Sequence, residues 1–185
     1  AAAWSSPDRA ARAAALLQAH GACRLVSALP RCQAEALRGC VARRLAVPAD
    51  GSAAAEPDVY VHAPMGRRHV LLSLEETEVA NACRHAAALL RPALEPLLGR
   101  HATVVELAAL VSAAGAGPQP LHRDVGHEPP GAALTVIVQL LLQDTDEGMG
   151  PLIVEPGTHL SACEQPAAHV RMAAPAGSLL LFDGR

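Results

Sequence analysis

"PQPLHRDVGHEPPG", residues 118–131, leads into "ALTVIVQLLLQ", residues 133–143, and the fold turns on how these two runs are read. The second run is β-branched and leucine-rich between turn residues, which is the composition of a buried strand. Periodicity alone leaves a buried helix open for 132–142. The first run places a histidine and an aspartate one residue apart. On a strand, residues i and i+2 share a face, so His122 and Asp124 would point one way and Arg123 the other. One imidazole nitrogen and one carboxylate oxygen suit iron(II). With a second histidine they would complete a two-His-one-carboxylate triad that leaves three coordination positions open. H-x-D is a short motif, and a loop histidine beside a surface aspartate is the plain alternative.

Downstream, "PLIVEP" and "GSLLLFD" are further short apolar runs between turn residues, and "ATVVELAALVS" lies just upstream. Four short strands separated by Gly, Pro and Asp suggest a sandwich or jelly roll with helices packed on one sheet. The first half reads as those helices. "SSPDRAARAAALLQAHG" offers Ser6 as N-cap, Pro7 at the first helical position, Asp8 in the first turn and Gly21 as a stop. "LPRCQAEALRGCVARRLAVP" repeats the logic, with Pro30 opening and Pro48 closing. Residues 51–65 are rich in Ala, Pro, Gly and Asp and read as a loop. "SLEETEVANACRHAAALLRPALEPLLG" begins with Ser73 and Glu76 at capping-box spacing. Val79, Cys83, Ala86, Leu90, Leu94 and Leu97 mark one helical face. Pro92 is expected to kink or end this helix, and Gly99 closes it. Helix is therefore expected over most of 7–47 and 75–98, and strand over most of 104–182.

The 185 residues fit one domain with a sizeable core. Hydrophobic residues make up 51% but aromatics only 2%, so that core is built from Leu, Val and Ala. All fifteen basic residues are Arg, which reflects coding bias rather than chemistry. The net charge is −3 and no basic cluster appears, so nucleic acid is not an expected partner. No apolar run nears the roughly 20 residues that span a membrane, so no membrane partner is expected either. The five cysteines, Cys23, Cys32, Cys40, Cys83 and Cys163, are odd in number and irregularly spaced. They read as reduced thiols of an intracellular protein, cytoplasmic or in an organellar lumen, rather than as disulfides or a zinc site.

The ordered series "QPLHRD", "ALTVIVQLLLQD", "TDEGMG", "PLIVEPGTH", "AGSLLLFDGR" resembles the phytanoyl-CoA dioxygenase-like family of iron(II)/2-oxoglutarate oxygenases. That family shows H-x-D, a strand, a glycine-containing turn, a short strand into P-G-[ST]-H, then a G-[DS]-hydrophobic strand. The match is clear over 104–185 and looser upstream, where "LLQAHGACRLV" resembles the family's opening helix and strand. The resemblance implies a single domain of α+β class over 1–185, with 1–103 as mainly helical support. The core over 104–185 would be part of a double-stranded β-helix, a cupin-like jelly roll, with its final strands missing. It implies Fe(II), 2-oxoglutarate and O2 as cofactor and cosubstrates, and a small organic substrate that is hydroxylated while 2-oxoglutarate is decarboxylated to succinate. His122 and Asp124 would be the first two iron ligands. The carboxylate at Asp124 argues against the related halogenases, where a small residue makes room for halide.

The resemblance also places a second metal histidine and a 2-oxoglutarate-binding arginine beyond Arg185, so the chain as given is expected to be C-terminally truncated and a poor catalyst. The alternative is a catalytically inactive jelly-roll binding protein that lacks a complete triad. Gln139 is an amide in the middle of an apolar strand. It would contact 2-oxoglutarate or an iron-bound water, or else face solvent. His159 of P-G-T-H is expected to shape its turn rather than bind metal, and Asp183 and Arg185 to shape the last strand. His127 and Glu128 could line the substrate mouth or sit in a solvated loop. Arg67, Arg68 and His69 could meet an anionic substrate, though a solvated turn is the plainer reading. His169 reads as a surface residue.

Overall fold

The computed structural model describes residues 7–46, 59–62, 66–125, 134–160 and 168–185. Helix α1 spans Pro7–His20 and runs through Gly21 into strand β1, Ala22–Leu25. Helix α2 spans Arg31–Leu45, and β2, Val59–His62, and β3, Arg67–Leu71, form a hairpin. Helix α3 spans Thr77–Leu98. The remaining strands are β4, Ala108–Ser112, β5, Val136–Leu140, β6, Ile153–Val154, β7, Val170–Arg171, and β8, Leu179–Asp183. Residues 132–142 therefore hold a strand where a buried helix stood open. The expected N-cap Ser6 lies outside the described residues.

Among the described residues the strands form three sheets, ordered β1-β8-β5, β2-β3-β4 and β6-β7, each of antiparallel pairs. The chain thus mixes helix and sheet as expected, but the described strands do not close a jelly roll. Strand β8 lies at the centre of the first sheet. Its registers align Cys23 with Leu181 and Leu25 with Leu179, and these four side chains are buried under α1 and α3 in the main core. The other face carries Arg24, Leu180 and Gln139 in one row. Leu180 is 1% exposed, so β8 is covered on both sides. Helix α2 joins the layers, with Val41 in a second cluster with Val70 of β3 and Ala109 of β4.

Five local expectations are corrected or narrowed. Residues 51–65 are not all loop, because they hold β2; and Arg67, Arg68 and His69 lie in β3, not in a turn. Ladder bonds to β2 and β4 on its two sides hold this run extended. Ser73 and Glu76 make no capping box: Ser73 Oγ accepts from the Glu75 N–H at 3.1 Å, and Glu76 makes no side-chain cap. The Glu76 carboxylate instead takes the Arg44 Nε at 2.8 Å and the Cys40 thiol at 3.3 Å, since a charged partner binds it more strongly than a backbone N–H. Pro92 does not end α3, which continues through Pro96 to Leu98 with both prolines on its exposed side. The run 102–112 is strand only from Ala108, and Val104 and Val105 are exposed. Among the described residues no helix is long and apolar enough to cross a membrane.

Candidate metal centre

The H-x-D segment hangs from the end of the central sheet. The Val125 N–H donates to the Gly184 carbonyl at 3.0 Å, and the Gly184 N–H donates to the Thr135 carbonyl at 3.0 Å. Gly184 is buried, and a Cβ there would meet Val125 Cγ2 at 2.6 Å and Ile137 Cδ1 at 2.9 Å. Only a bare backbone lets Val125 lie this close to the end of β8. Residues 121–125 are not themselves a strand. The expected same-side placement of His122 and Asp124 nevertheless holds, because their side chains meet.

His122 Nδ1 lies 2.8 Å from the Pro120 carbonyl, an acceptor, so Nδ1 carries the hydrogen. Nε2 faces Asp124 Oδ1, 3.1 Å away. Two acceptors at that distance repel unless a proton or a cation lies between them. Two ligand atoms on neighbouring vertices of an octahedral ion, with bonds of about 2.1 Å, stand about 3 Å apart. The spacing therefore suits either a shared proton or a shared cation, and the Pro120 carbonyl fixes the orientation of the His122 ring. The side chains are 53% and 38% exposed, which leaves the pair open to solvent. Arg123 points away, its Nη2 3.5 Å from the Thr158 carbonyl. No group of three or more His, Cys, Asp or Glu that could hold a metal occurs among the described residues.

Gln139 pairs in register with Leu180, on the face of the sheet turned away from α1 and α3. It is half-buried. The P-G-T-H segment is a turn, as expected, and it caps α1. The Gly157 N–H donates to the His20 carbonyl at 2.9 Å, and His159 Nε2 lies 3.1 Å from the Gln18 carbonyl. Asp183 and Arg185 hold each other through the guanidinium at 2.7 Å and the Arg185 N–H at 3.0 Å. Burial pushes the Asp183 carboxyl up, but these bonds outweigh it and hold the group below its usual range. His169 is exposed and pairs with Glu155 at 2.6 Å. His69 pairs with Glu106 at 3.4 Å.

Cys23, Cys32, Cys40 and Cys83 are free thiols. Burial pushes Cys23 up to about 11, so it is an unreactive core residue. His127, Glu128 and Cys163 lie outside the described residues. Sequence reasoning missed Gly184 and the Arg123–Thr158 contact. The first had a signal in the "DGR" that ends the apolar run; the second had none.

This geometry can be set beside known proteins. The chain matches the sequence profile of Phytanoyl-CoA dioxygenase (PhyH) over residues 17–185. The chain belongs to the phytanoyl-CoA dioxygenase family. No curated protein sequence matches it significantly. Among solved structures, this PhyH chain is similar to the non-heme alpha ketoglutarate dependent epimerase SnoN from nogalamycin biosynthesis. The TM-score is 0.71 at 17% identity, over 97% of this chain and 75% of SnoN. A second SnoN structure, in complex with Fe3+, alpha ketoglutarate and nogalamycin RO, aligns with a TM-score of 0.65 at 18% identity, over 97% and 76%. A Pseudomonas putida prolyl-4-hydroxylase aligns with a TM-score of 0.60 at 16% identity, over 95% and 86%. The PhyH chain thus has the fold of these enzymes, which the open sheets alone do not display.

Proposed function

We propose that this PhyH-family protein is a non-haem Fe(II)/2-oxoglutarate-dependent dioxygenase that hydroxylates a small organic substrate, with O2 as cosubstrate. The observation that carries the proposal is the 3.1 Å approach of His122 Nε2 to Asp124 Oδ1, with Nδ1 held by Pro120. Family membership and the fold shared with SnoN and the prolyl-4-hydroxylase support it. Iron bound there supplies the site at which 2-oxoglutarate and oxygen react. His122 contributes a neutral nitrogen, kept in one tautomer by Pro120, and Asp124 a carboxylate that offsets part of the metal's charge. Gln139, on the non-helical face of the central sheet, offers an amide to 2-oxoglutarate. SnoN in complex with nogalamycin RO supports a small-molecule substrate.

The test is Fe(II) binding and succinate formation by the full-length protein, by His122→Ala and Asp124→Ala, and by the double variant. Each single variant should lose metal binding and 2-oxoglutarate turnover together. Succinate formation at the wild-type rate by the double variant would remove these residues from the metal site.

A further inference from the structure

Gly21 ends α1 with φ +73°, and a Cβ there would meet Nδ1 of His159 at 2.5 Å. The imidazole therefore lies directly on the bare backbone of the α1–β1 turn. Its Nε2 donates to the Gln18 carbonyl at 3.1 Å, and its Nδ1 is buried without a hydrogen-bond partner among the described residues. An unpaired buried nitrogen costs stability. Shape and one directed bond, rather than full satisfaction, hold this side chain in place.

Both supports of the H-x-D segment lead back to this contact. On one side, Arg123 Nη2 reaches the Thr158 carbonyl at 3.5 Å, and Thr158 precedes His159. The same turn is tied to α1 by the Gly157 N–H on the His20 carbonyl at 2.9 Å. On the other side, the Val125 N–H donates to the Gly184 carbonyl at 3.0 Å, and the neighbouring Asp183 N–H donates to the Gly21 carbonyl at 2.8 Å. Arg123 and Val125 flank Asp124. The segment between them is exposed and outside any strand, so no ladder fixes it and its flanking bonds must.

We infer that His159 and Gly21 form a latch that positions His122 and Asp124. His159 is a positioning residue for the metal pair, acting through Thr158 and Arg123 on one side and through Gly21, Asp183 and Gly184 on the other. It is not itself a ligand, since one nitrogen is committed to Gln18 and the other is buried against Gly21. The inference rests on the metal reading given above.

The test is the affinity of the full-length protein for Mn(II) alone, read from the free-ion electron paramagnetic resonance signal, with melting temperature measured alongside. His159→Leu should weaken Mn(II) binding by about three- to tenfold. His159→Gln, whose amide can donate to the Gln18 carbonyl, should stay within about twofold of wild type. A folded His159→Leu that binds Mn(II) like wild type overturns the latch, and so does a His159→Gln as weak as the leucine variant. Should His159→Leu not fold, Arg123→Gln breaks the Thr158 link at the surface. It should weaken binding too, and unchanged affinity there overturns the latch. His122→Ala run in parallel separates the two readings: undiminished Mn(II) binding by that variant sinks the metal assignment itself.

Discussion

Gln139 occupies a position that the apolar pattern of its strand does not explain. Pairing with Leu180 sets it on the face opposite the helices, with Arg24 on the far side of β8 in the same row. One neutral hydrogen bond contributes about 0.5–1.5 kcal/mol net, so Gln139→Leu should raise the half-saturating 2-oxoglutarate concentration by roughly two- to tenfold. Metal affinity should not move, because the amide is not proposed as a ligand. Succinate formation titrated with 2-oxoglutarate reads this, and identical curves would take Gln139 out of the site. Gly184 offers the converse case, since a Cβ on it would press on Val125, the chain neighbour of Asp124 in the proposed metal pair. The atoms that an added Cβ would meet belong to Val125, a stiff β-branched side chain, and to Ile137. Gly184→Ala should fold but push Val125 outward and weaken Mn(II) binding by at least about threefold. Spectroscopic titration beside a melting curve checks it; a lower melting temperature with unchanged affinity would mean that strain at Gly184 does not reach Asp124. The roles of such residues are hard to see in a sequence, because a glycine announces freedom but not the neighbour that requires it.

At the level of elements, α3 carries two prolines four residues apart on its exposed side. Each removes a backbone donor and crowds the preceding turn. Because Pro92 is exposed, replacing it leaves no cavity. Pro92→Ala should therefore stabilise the protein by about 1–2 kcal/mol, less than the full helix-interior penalty because proline also restricts the unfolded chain. Urea unfolding measures the gain, and a loss would show that a kink at Pro92 is needed to seat α3 on the core. The start of α3 is tied to α2 by Glu76, whose carboxyl the Arg44 hydrogen bond holds below its usual range. A depressed folded pKa stabilises above the unfolded value, about 4.3 for Glu, and that stability is lost as pH falls through the folded value. Glu76→Gln should cost roughly 1 kcal/mol at neutral pH, and the deficit should shrink as pH falls below the unfolded value and through the folded one. A difference from wild type that does not shrink with falling pH would assign the effect to packing. Helix existence was readable here from periodicity at Val79, Leu90 and their neighbours. The cap was not, because Ser73 and Glu76 satisfy a local motif while Arg44 competes for the carboxylate from another helix.

For the molecule as a whole, β8 is the element on which the rest depends. Leu179, Leu180 and Leu181 are all buried, and the strand is bonded to β1 on one side and β5 on the other. Its amides should exchange with solvent more slowly than those of β6 and β7, a two-stranded pair with exposed residues. Leu181→Ala should cost about 2–5 kcal/mol by opening a cavity under α1 and α3. Exchange measured by mass spectrometry and chemical denaturation test these two statements, and fast exchange in β8 would place the stability elsewhere. The sequence by itself determined the three helices, the short apolar strands after them, the H-x-D pair and the ordered motifs of the PhyH family. Each is written in neighbouring residues, through a helical period, a β-branched run or an i, i+2 spacing. Only the tertiary structure decided that Arg67–Leu71 is a strand, that Glu76 serves Arg44 instead of its own helix, and that Gln139 lies on the face away from the helices. It alone brought Gly21, His159 and Gly184 to bear on His122 and Asp124. A period of two states which side chains share a face but not which face is covered. Bonds such as those from Asp183 to Gly21 and from Val125 to Gly184 join residues far apart in the chain, where no local pattern records the partner.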